Sequence, residues 1–549
     1  MDQNNLKSVA FPTLDESQIS QLARCTAAEP RLFRDGQTLF AAGERNMNFF
    51  IVKSGEVEIV DNSGDERKTV TVHHPGEFTG DISHLTGLPA VVSGIARGDC
   101  EAYEITGDAL RKVLNQCPGT GDMILQAFIA RRQLLRESPN FTGLRVIGSR
   151  YSADTFRVRD FLSKNRVLFT WLDVESDPNV DGILRQFGVT DSDTPVVVCG
   201  SMLLLRNPSN RELADAIGIH QPLAAMLYDL VVVGAGPAGL AAAVYGASEG
   251  LRTALLEQTA PGGQAGSSMR IENYLGFPTG VTGGELAGRA ILQANKFGAY
   301  LSVPTLVDRL AFENAYTVVH LDGGETVTAK CLLIATGADY RRLGVEGSER
   351  FEGTGVYYAA TVAEGQLCKG SQVLVVGGGN SAGQAAVFLA GHARQVLLLI
   401  RGDDLNKNMS SYLVRRIEQT ANIELLCNTT IRRMNGNGHL GSVDIVNAKT
   451  GEERAVETPG VFSFIGAEPR TGWLPPEIER DPKGFVRTGT ELARSPHWVS
   501  GRQPFLLETS RAGVFAAGDV RSGSVKRVAS AVGEGAMAVQ FVHEHLKHM

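Results

Sequence analysis

The sequence predicts a multidomain α/β protein. Two doubly wound nucleotide-binding folds occupy the carboxy-terminal half, with a small antiparallel β domain and a small α/β domain before them. Three patterns carry this reading. Glycine-rich turns at Gly234 and Gly377 each follow an apolar run and open a helical one. Residues 31–105 alternate short β-like runs with glycine turns, and from Leu144 strands alternate with helices. At 549 residues the chain has room for about four domains. A composition of 43% hydrophobic and 21% charged residues is ordinary for globular protein.

In chain order, glycines at Gly36, Gly43, Gly55, Gly64 and Gly76 punctuate the first β runs, and a helical pattern from Asp108 to Arg136 follows. A β-roll with a helical lid is expected over residues 1–139. Phe33-x-x-Gly36, Gly43, Phe50-Ile-Val-x-x-Gly55 and Gly76-Glu-Phe-x-Gly80-Asp81 resemble the cyclic-nucleotide-binding domain. That resemblance implies a phosphate cassette with a Gly-Glu pair and an arginine after a proline. Here Gly80-Asp81 and Pro89-Ala90 stand in those places. Without the cation a charge-assisted hydrogen bond of about 1.5–3 kcal/mol is lost, which lowers affinity tenfold to a hundredfold. The reading favours a docking or degenerate sensor domain over a cyclic nucleotide sensor.

Polar residues Glu137 to Thr142 form a linker, and a second unit is expected over 143–222. Its pattern is strand (Leu144 to Gly148), helix (Thr155 to Asn165), strand (Arg166 to Leu172), helix (Val180 to Phe187) and a strand after Thr194-Pro195. This resembles the thioredoxin and glutaredoxin fold, which implies a cis Thr194-Pro195 bond facing the active-site loop. The family begins its first helix with Cys-x-x-Cys, and Ser152-Ala-Asp-Thr155 stands there instead. Hydroxyls cap a helix but form no disulfide, so a spacer or docking module is expected.

The first cradle follows Tyr228-Asp-Leu-Val-Val-Val and reads Gly234-Ala-Gly236-Pro237-Ala238-Gly239. In such a Rossmann-like turn the first glycine makes the turn, the second admits a pyrophosphate, and the third lets helix and strand pack closely. The next strand pattern ends in Glu257, a carboxylate suited to ribose hydroxyls. Leu230 to Ala247 carries no charge over a length that suits a membrane span, but the glycines and the β-branched strand argue for a buried strand, turn and helix. The second cradle is Gly377-Gly-Gly379-Asn380-Ser381-Ala382. Its following strand ends at Arg401, whose guanidinium can pair with a 2′-phosphate and so favours NADPH. Asp403 and Asp404 close by would oppose it, so NADH stays open.

From Leu227 onward both cradles, in order, resemble the low-molecular-weight thioredoxin reductases. The resemblance extends to Pro261-Gly262-Gly263-Gln264, Ile271-Glu-Asn273-Tyr, Ala335-Thr336-Gly337, Gly513-Val-Phe-Ala-Ala-Gly518-Asp519-Val and Lys526-Arg527-Val528-Ala529. It implies an FAD domain split into 227–342 and 468–549 around a nicotinamide domain at 343–467. It also implies flavin contacts from those loops, with Asp519 on the ribityl chain and the helix start after Arg527 facing the flavin pyrimidine edge, and a homodimer. The family's Cys-x-x-Cys is absent: Ala359 and Val362 occupy the cysteine positions in Gly355-Val-Tyr-Tyr-Ala-Ala-Thr-Val362. Neither can supply a thiolate, so electrons must leave the flavin directly or through a partner's thiols. A single-thiol route through Cys368 is the minor alternative. Tyr357 and Tyr358 either cover the flavin or pack a hinge.

The expected enzyme therefore moves a hydride from NAD(P)H to FAD and then electrons to an unknown acceptor, with no catalytic acid, base or nucleophile identifiable. A redox or nucleotide sensor with little turnover is one alternative, and thioredoxin-disulfide reduction is another. The net charge of −7 argues against nucleic acid or membrane partners, and the start of the chain lacks a secretory apolar stretch, so a cytoplasmic location is expected. Cys25, Cys100, Cys117, Cys199, Cys331, Cys368 and Cys427 read as small hydrophobes with no dithiol spacing. His543, His545 and His548 read as a solvated tail on a polar terminal helix, with no metal site expected.

Overall fold

The computed structural model describes residues 3–62, 67–137, 144–177, 180–199, 203–224 and 226–549. Gly64 and the linker after Glu137, with the domain edges expected at 139 and 143, lie outside these residues.

The amino-terminal β-roll is one antiparallel sheet of Pro30–Phe33, Thr38–Phe40, Phe49–Asp61, Lys68–His73 and Ser93–Ile105. Gly55 sits at φ +76°, and a Cβ there would lie 2.4 Å from the Asp99 carbonyl oxygen. Glycine thus lets the two long strands cross where their register shifts. Phe33, Phe40, Phe50 and Val52 fill one half of the core, and Phe49, Phe78 and Phe128 the other. The single helix expected from Asp108 to Arg136 is two, Gly107–Gln116 and Pro118–Glu137, because Pro118 has no N–H to continue the first and starts the second.

The small α/β unit pairs its strands in the order Phe169–Leu172, Leu144–Ile147, Val196–Cys199, Leu203–Arg206, the first two parallel. Helices Ala153–Lys164, Val180–Gln186 and Asn210–Ala216 belong to it, and Thr194-Pro195 is cis. Ser152 caps the first helix by accepting the Thr155 N–H.

In the carboxy-terminal half, strands Leu227–Val233, Thr253–Leu256, Tyr300–Ser302, Thr326–Ile334 and Val514–Ala516 are parallel neighbours in a seven-stranded sheet. A five-stranded parallel sheet is built from Val356–Tyr357, Gln372–Val376, Gln395–Leu399, Ile423–Leu426 and Val461–Ser463. The chain crosses between the two sheets on one antiparallel strand pair, Ala338–Tyr340 with Ala467–Pro469. Leu230–Ala247 divides into a buried strand and the helix Pro237–Ser248, and among the described residues no helix is long and apolar enough to cross a membrane.

The terminal helix, Val528–Leu546, is not a polar tail. Ala531, Gly535, Ala538, Val539 and Val542 are buried, and a Cβ on Gly535 would lie 2.1 Å from the Ala238 carbonyl oxygen of the first cradle helix. Small residues on both helices allow that approach. His543 pairs with Glu249 at 2.8 Å, and His545 lies under Gly513 beside Arg502 and Glu508. Only the last residues, His543-Glu544-His545-Leu546-Lys547-His548, are mostly polar, and they alone read as a tail. Among the described residues no cluster of histidine, cysteine or carboxylate groups suits a metal ion.

Candidate active site

The first cradle is built by close approach. Gly234 has φ +101°, and its Cβ would meet the Ala335 carbonyl oxygen at 2.4 Å. A Cβ on Gly239 would lie 1.9 Å from the Gly234 carbonyl oxygen, whereas one on Gly236 meets nothing nearer than 4.0 Å. The first and third glycines are therefore packing necessities, and the second leaves open space at the helix start. Gly262 and Gly263, at φ +118° and +54°, fold a turn over this point. The Gly262 N–H donates to the Ala235 carbonyl at 2.8 Å, and a Gly263 Cβ would stand 3.0 Å from the Gly236 Cα. Glu257 is buried, accepting the Ala235 N–H at 2.8 Å on one carboxylate oxygen and the Thr259 N–H at 2.9 Å on the other. Each oxygen keeps a lone pair for a further donor.

The remaining segments converge on the same place. Gln264 donates to the Ala338 carbonyl, the Thr336 hydroxyl to the Arg470 carbonyl at 2.9 Å, and Gly337 turns at φ +67°. A Gly518 Cβ would lie 3.1 Å from that of Ala238, and the Gly518 N–H donates to Glu534 at 2.6 Å. Glu534 also pairs with Arg521 at 2.5 Å. Burial raises the carboxyl of Asp519 above its usual range, against the pull of Lys526. Asn273 is exposed in its loop, and its neighbour Glu272 receives Arg416 of helix Ser411–Gln419 at 2.9 Å.

In the second cradle Gly377 turns at φ +140° against the Phe464 carbonyl, and a Cβ on Gly379 would meet nothing within 4 Å. Asn380 accepts the Ser410 N–H at 2.7 Å, Ala382 is buried, and Arg401 is exposed. Asp403 is tied to Lys407 at 2.7 Å and Asp404 accepts the Asn406 N–H, which draws both carboxylates into local bonds.

Helix starts in the chain differ in how they are capped, and Ser411–Gln419 is a helix outside the cradles that also lacks a side-chain cap among the described residues. Glu16–Thr26, Ala153–Lys164 and Gly283–Lys296 are capped by Asp15, Ser152 and Thr282. The helices beginning at Pro237, Asn380 and Val528 have no side-chain cap among the described residues. Uncapped N–H groups with the positive end of a helix dipole suit phosphate or another anionic edge.

Tyr340, which sequence reasoning missed, lies beside the second cradle. Its hydroxyl donates to Ser381 at 3.0 Å, its ring meets Phe464 edge-on at 5.2 Å, and burial with the nearby Asp519 charge raises its phenol. Only its position next to Ala335-Thr336-Gly337 could have signalled this.

Residues next to the positions expected to hold dithiols in two related folds meet. Phe156, in the first helix of the small α/β unit, meets the ring of Tyr357 at 5.7 Å, and Tyr151 stacks on His439 at 4.6 Å. Arg159 lies 3.5 Å over Trp171, with the buried Glu364 of helix Val362–Leu367 acting on its charge. Tyr357 is thus part of a packed core with Phe462, and the Tyr358 hydroxyl donates to Glu352 at 3.1 Å. Ala359 is half-buried and Val362 opens the helix. Cys368 is buried, and desolvation pushes its thiol up to about 12, which disfavours the thiolate a single-thiol route needs.

A family model described as pyridine nucleotide-disulphide oxidoreductase matches residues 228–535, and one described as cyclic nucleotide-binding domain matches residues 30–117. Thioredoxin reductase of Bacillus subtilis (strain 168) is 34% identical over 327 residues, covering 59% of this chain and 96% of its own length. That of Treponema pallidum (strain Nichols) is 36% identical over 315 residues, covering 57% and 94%. The crystal structure of Lactococcus lactis thioredoxin reductase in its FR conformation matches with a TM-score of 0.53 at 29% identity, covering 59% of this chain and 100% of its own.

Proposed function

Because the chain belongs to the pyridine nucleotide-disulphide oxidoreductase family, as a thioredoxin-reductase-like enzyme dependent on FAD and NADPH, we propose that it passes electrons from NADPH through FAD to an acceptor without a disulfide of its own. Bound FAD supplies a two-electron carrier and bound NADPH the hydride that it takes up. The observation that carries the proposal is that Gly236 and Gly379 each leave open space at a helix start without a side-chain cap, while Ala359 and Val362 stand at the family's cysteine positions.

The geometry of the two cradles supports the following roles. Gly234, Gly236 and Gly239 admit a pyrophosphate to the start of helix Pro237–Ser248, and Glu257 takes ribose hydroxyls. Gly262, Gly263, Gln264, Thr336, Gly337, Gly518 and Asp519 wall the isoalloxazine and ribityl region, with Asn273 at its edge. Lys526, Arg527, Val528 and Ala529 present the uncapped start of the terminal helix. Gly377, Gly379, Asn380, Ser381 and Ala382 hold the NADPH phosphates. Arg401 is free to meet the 2′-phosphate because its acidic neighbours are bonded locally. Arg401→Ala is expected to raise the KM for NADPH about tenfold to a hundredfold and leave that for NADH unchanged, as steady-state kinetics with each nucleotide would show.

The thiol-free helix at Val362 is covered by the small α/β unit through Phe156 and Arg159. A thioredoxin-sized protein therefore finds neither sulfur nor an open face there, and the acceptor must reach the flavin edge directly. The purified protein is expected to be yellow and to release no thiol from a disulfide substrate in the presence of NADPH. NADPH-dependent thiol release at a catalytic rate would overturn this route.

We assign the β-roll domain a docking role. Ala90 is buried among Phe33, Phe40 and Phe50, and Asp81 is held by Arg132 at 3.2 Å and by the Ser83 N–H at 2.9 Å. The cassette turn rests on the end of the small α/β unit: Gln221 donates to the Thr86 carbonyl at 2.7 Å and Arg45 to that of His220 at 3.3 Å. Calorimetric titration with cyclic AMP and cyclic GMP is expected to show no micromolar binding, and such binding would contradict the assignment.

A further inference from the structure

Two thiols far apart in sequence meet in the β-roll domain. Cys25, exposed in the last turn of helix Glu16–Thr26, has its Sγ 3.7 Å from that of Cys117, 92 residues away and buried. Both stand at element ends. Thr26 is the last residue of the first helix, and Cys117 is the C-cap of Gly107–Gln116, in the joint before Pro118. A disulfide needs the sulfurs at about 2.05 Å, and side-chain rotation at two such ends supplies the remaining approach without displacing a strand. The other cysteines are placed differently: Cys331 and Cys368 are sealed in the cores of the two nucleotide folds, Cys100 lies in the β-roll core, and Cys199 and Cys427 are half-buried against the cores of the small α/β unit and the second nucleotide fold.

We propose that Cys25 and Cys117 are a redox site that closes to a reversible disulfide when the protein meets a hydroperoxide. Exposed Cys25, as its thiolate, attacks one peroxide oxygen. The S–O bond forms, the O–O bond breaks, and the leaving alkoxide or hydroxide takes a proton, so that the sulfur is oxidised by two electrons to the sulfenic acid while the peroxide is reduced. Cys117 then attacks the Cys25 sulfur. The S–S bond forms, the S–O bond breaks, and the hydroxyl leaves as water with the Cys117 proton. Two equivalents of a small thiol reverse the reaction by exchange, leaving as their own disulfide. No residue of either nucleotide cradle takes part. The site therefore answers to oxidant independently of whether NADPH reduces the flavin.

The test uses the full-length, flavin-loaded protein. It is reduced, freed of reductant, exposed to hydrogen peroxide, blocked with an alkylating agent and digested without reductant for mass spectrometry. The expected result is one cross-linked peptide pair joining Cys25 to Cys117 in most chains, abolished by dithiothreitol and absent from Cys25→Ser. Because Cys25 is exposed, that variant is expected to keep the wild-type circular dichroism spectrum. A raised melting temperature of the oxidised wild type, reversed by dithiothreitol, is the second readout, since the bond closes a long loop. Both thiols recovered alkylated after oxidation, a Cys25 linked only to another chain, or the same cross-link yield for Cys25 with any other cysteine would overturn the proposal.

Discussion

Gly236→Asp is expected to give a folded but colourless protein. The Gly236 backbone, at φ −71° and ψ −175°, is open to any residue, and a Cβ there has no neighbour nearer than 4.0 Å. Aspartate is also a favoured residue at a helix N-cap, so the helix itself gains a side-chain acceptor. The same carboxylate would stand where the pyrophosphate meets the helix start. At partly screened contact distance one such repulsion costs about 4 kcal/mol, on the order of a thousandfold in FAD affinity. The measurement is the flavin-to-polypeptide ratio after purification, alongside circular dichroism. A variant that stays fully yellow would remove the first cradle from the FAD site. Gly239→Ala makes the contrast: its Cβ would collide with the Gly234 carbonyl, so it is expected to lose stability as well as flavin.

Gly379→Asp is expected to separate binding of FAD from its reduction. Gly379 is the uncapped start of helix Asn380–Ala390, its backbone is extended at φ −99° and ψ 178°, and a Cβ meets nothing within 4 Å. The fold and the first cradle are untouched by the change, so the protein should remain yellow. A carboxylate facing the NADPH phosphates should raise the concentration of NADPH needed to bleach the flavin by on the order of a thousandfold. Stopped-flow bleaching under anaerobic conditions reads this directly. An unchanged NADPH dependence would mean that the hydride donor does not use this cradle.

How much of the molecule is legible in its sequence depends on how local each constraint is. The cradles are readable because their glycines answer to the backbone of the same strand, turn and helix. The 1.9 Å approach at Gly239 is a demand made within six residues of Gly234. The absent cysteines at Ala359 and Val362 are readable as plain substitutions in a known pattern. The partners of those positions are not, because Phe156 reaches Tyr357 from a separate domain and nothing near either residue announces it. Tyr340, Glu534 and the Arg416–Glu272 pair also take their roles from chain crossings distant in sequence. The break at Cys117–Pro118 is signalled by the proline, but the apolar period running through it reads as one continuous helix. The neighbouring thiol pair is invisible to spacing, since its members are 92 residues apart.

The small α/β unit occupies the face that a redox helix would otherwise offer, and the uncapped helix starts remain as places for phosphate. On the proposed route, such a fold would keep its nucleotide chemistry and need no disulfide between flavin and acceptor.

The central claim is that the flavin is the only two-electron carrier between NADPH and the acceptor. Anaerobic titration of the full-length protein with NADPH, its accessible thiols reduced and alkylated beforehand, tests it most directly. The account predicts complete bleaching with one NADPH per flavin. Consumption of a second equivalent before the endpoint, or a bound flavin that NADPH does not bleach, would contradict it.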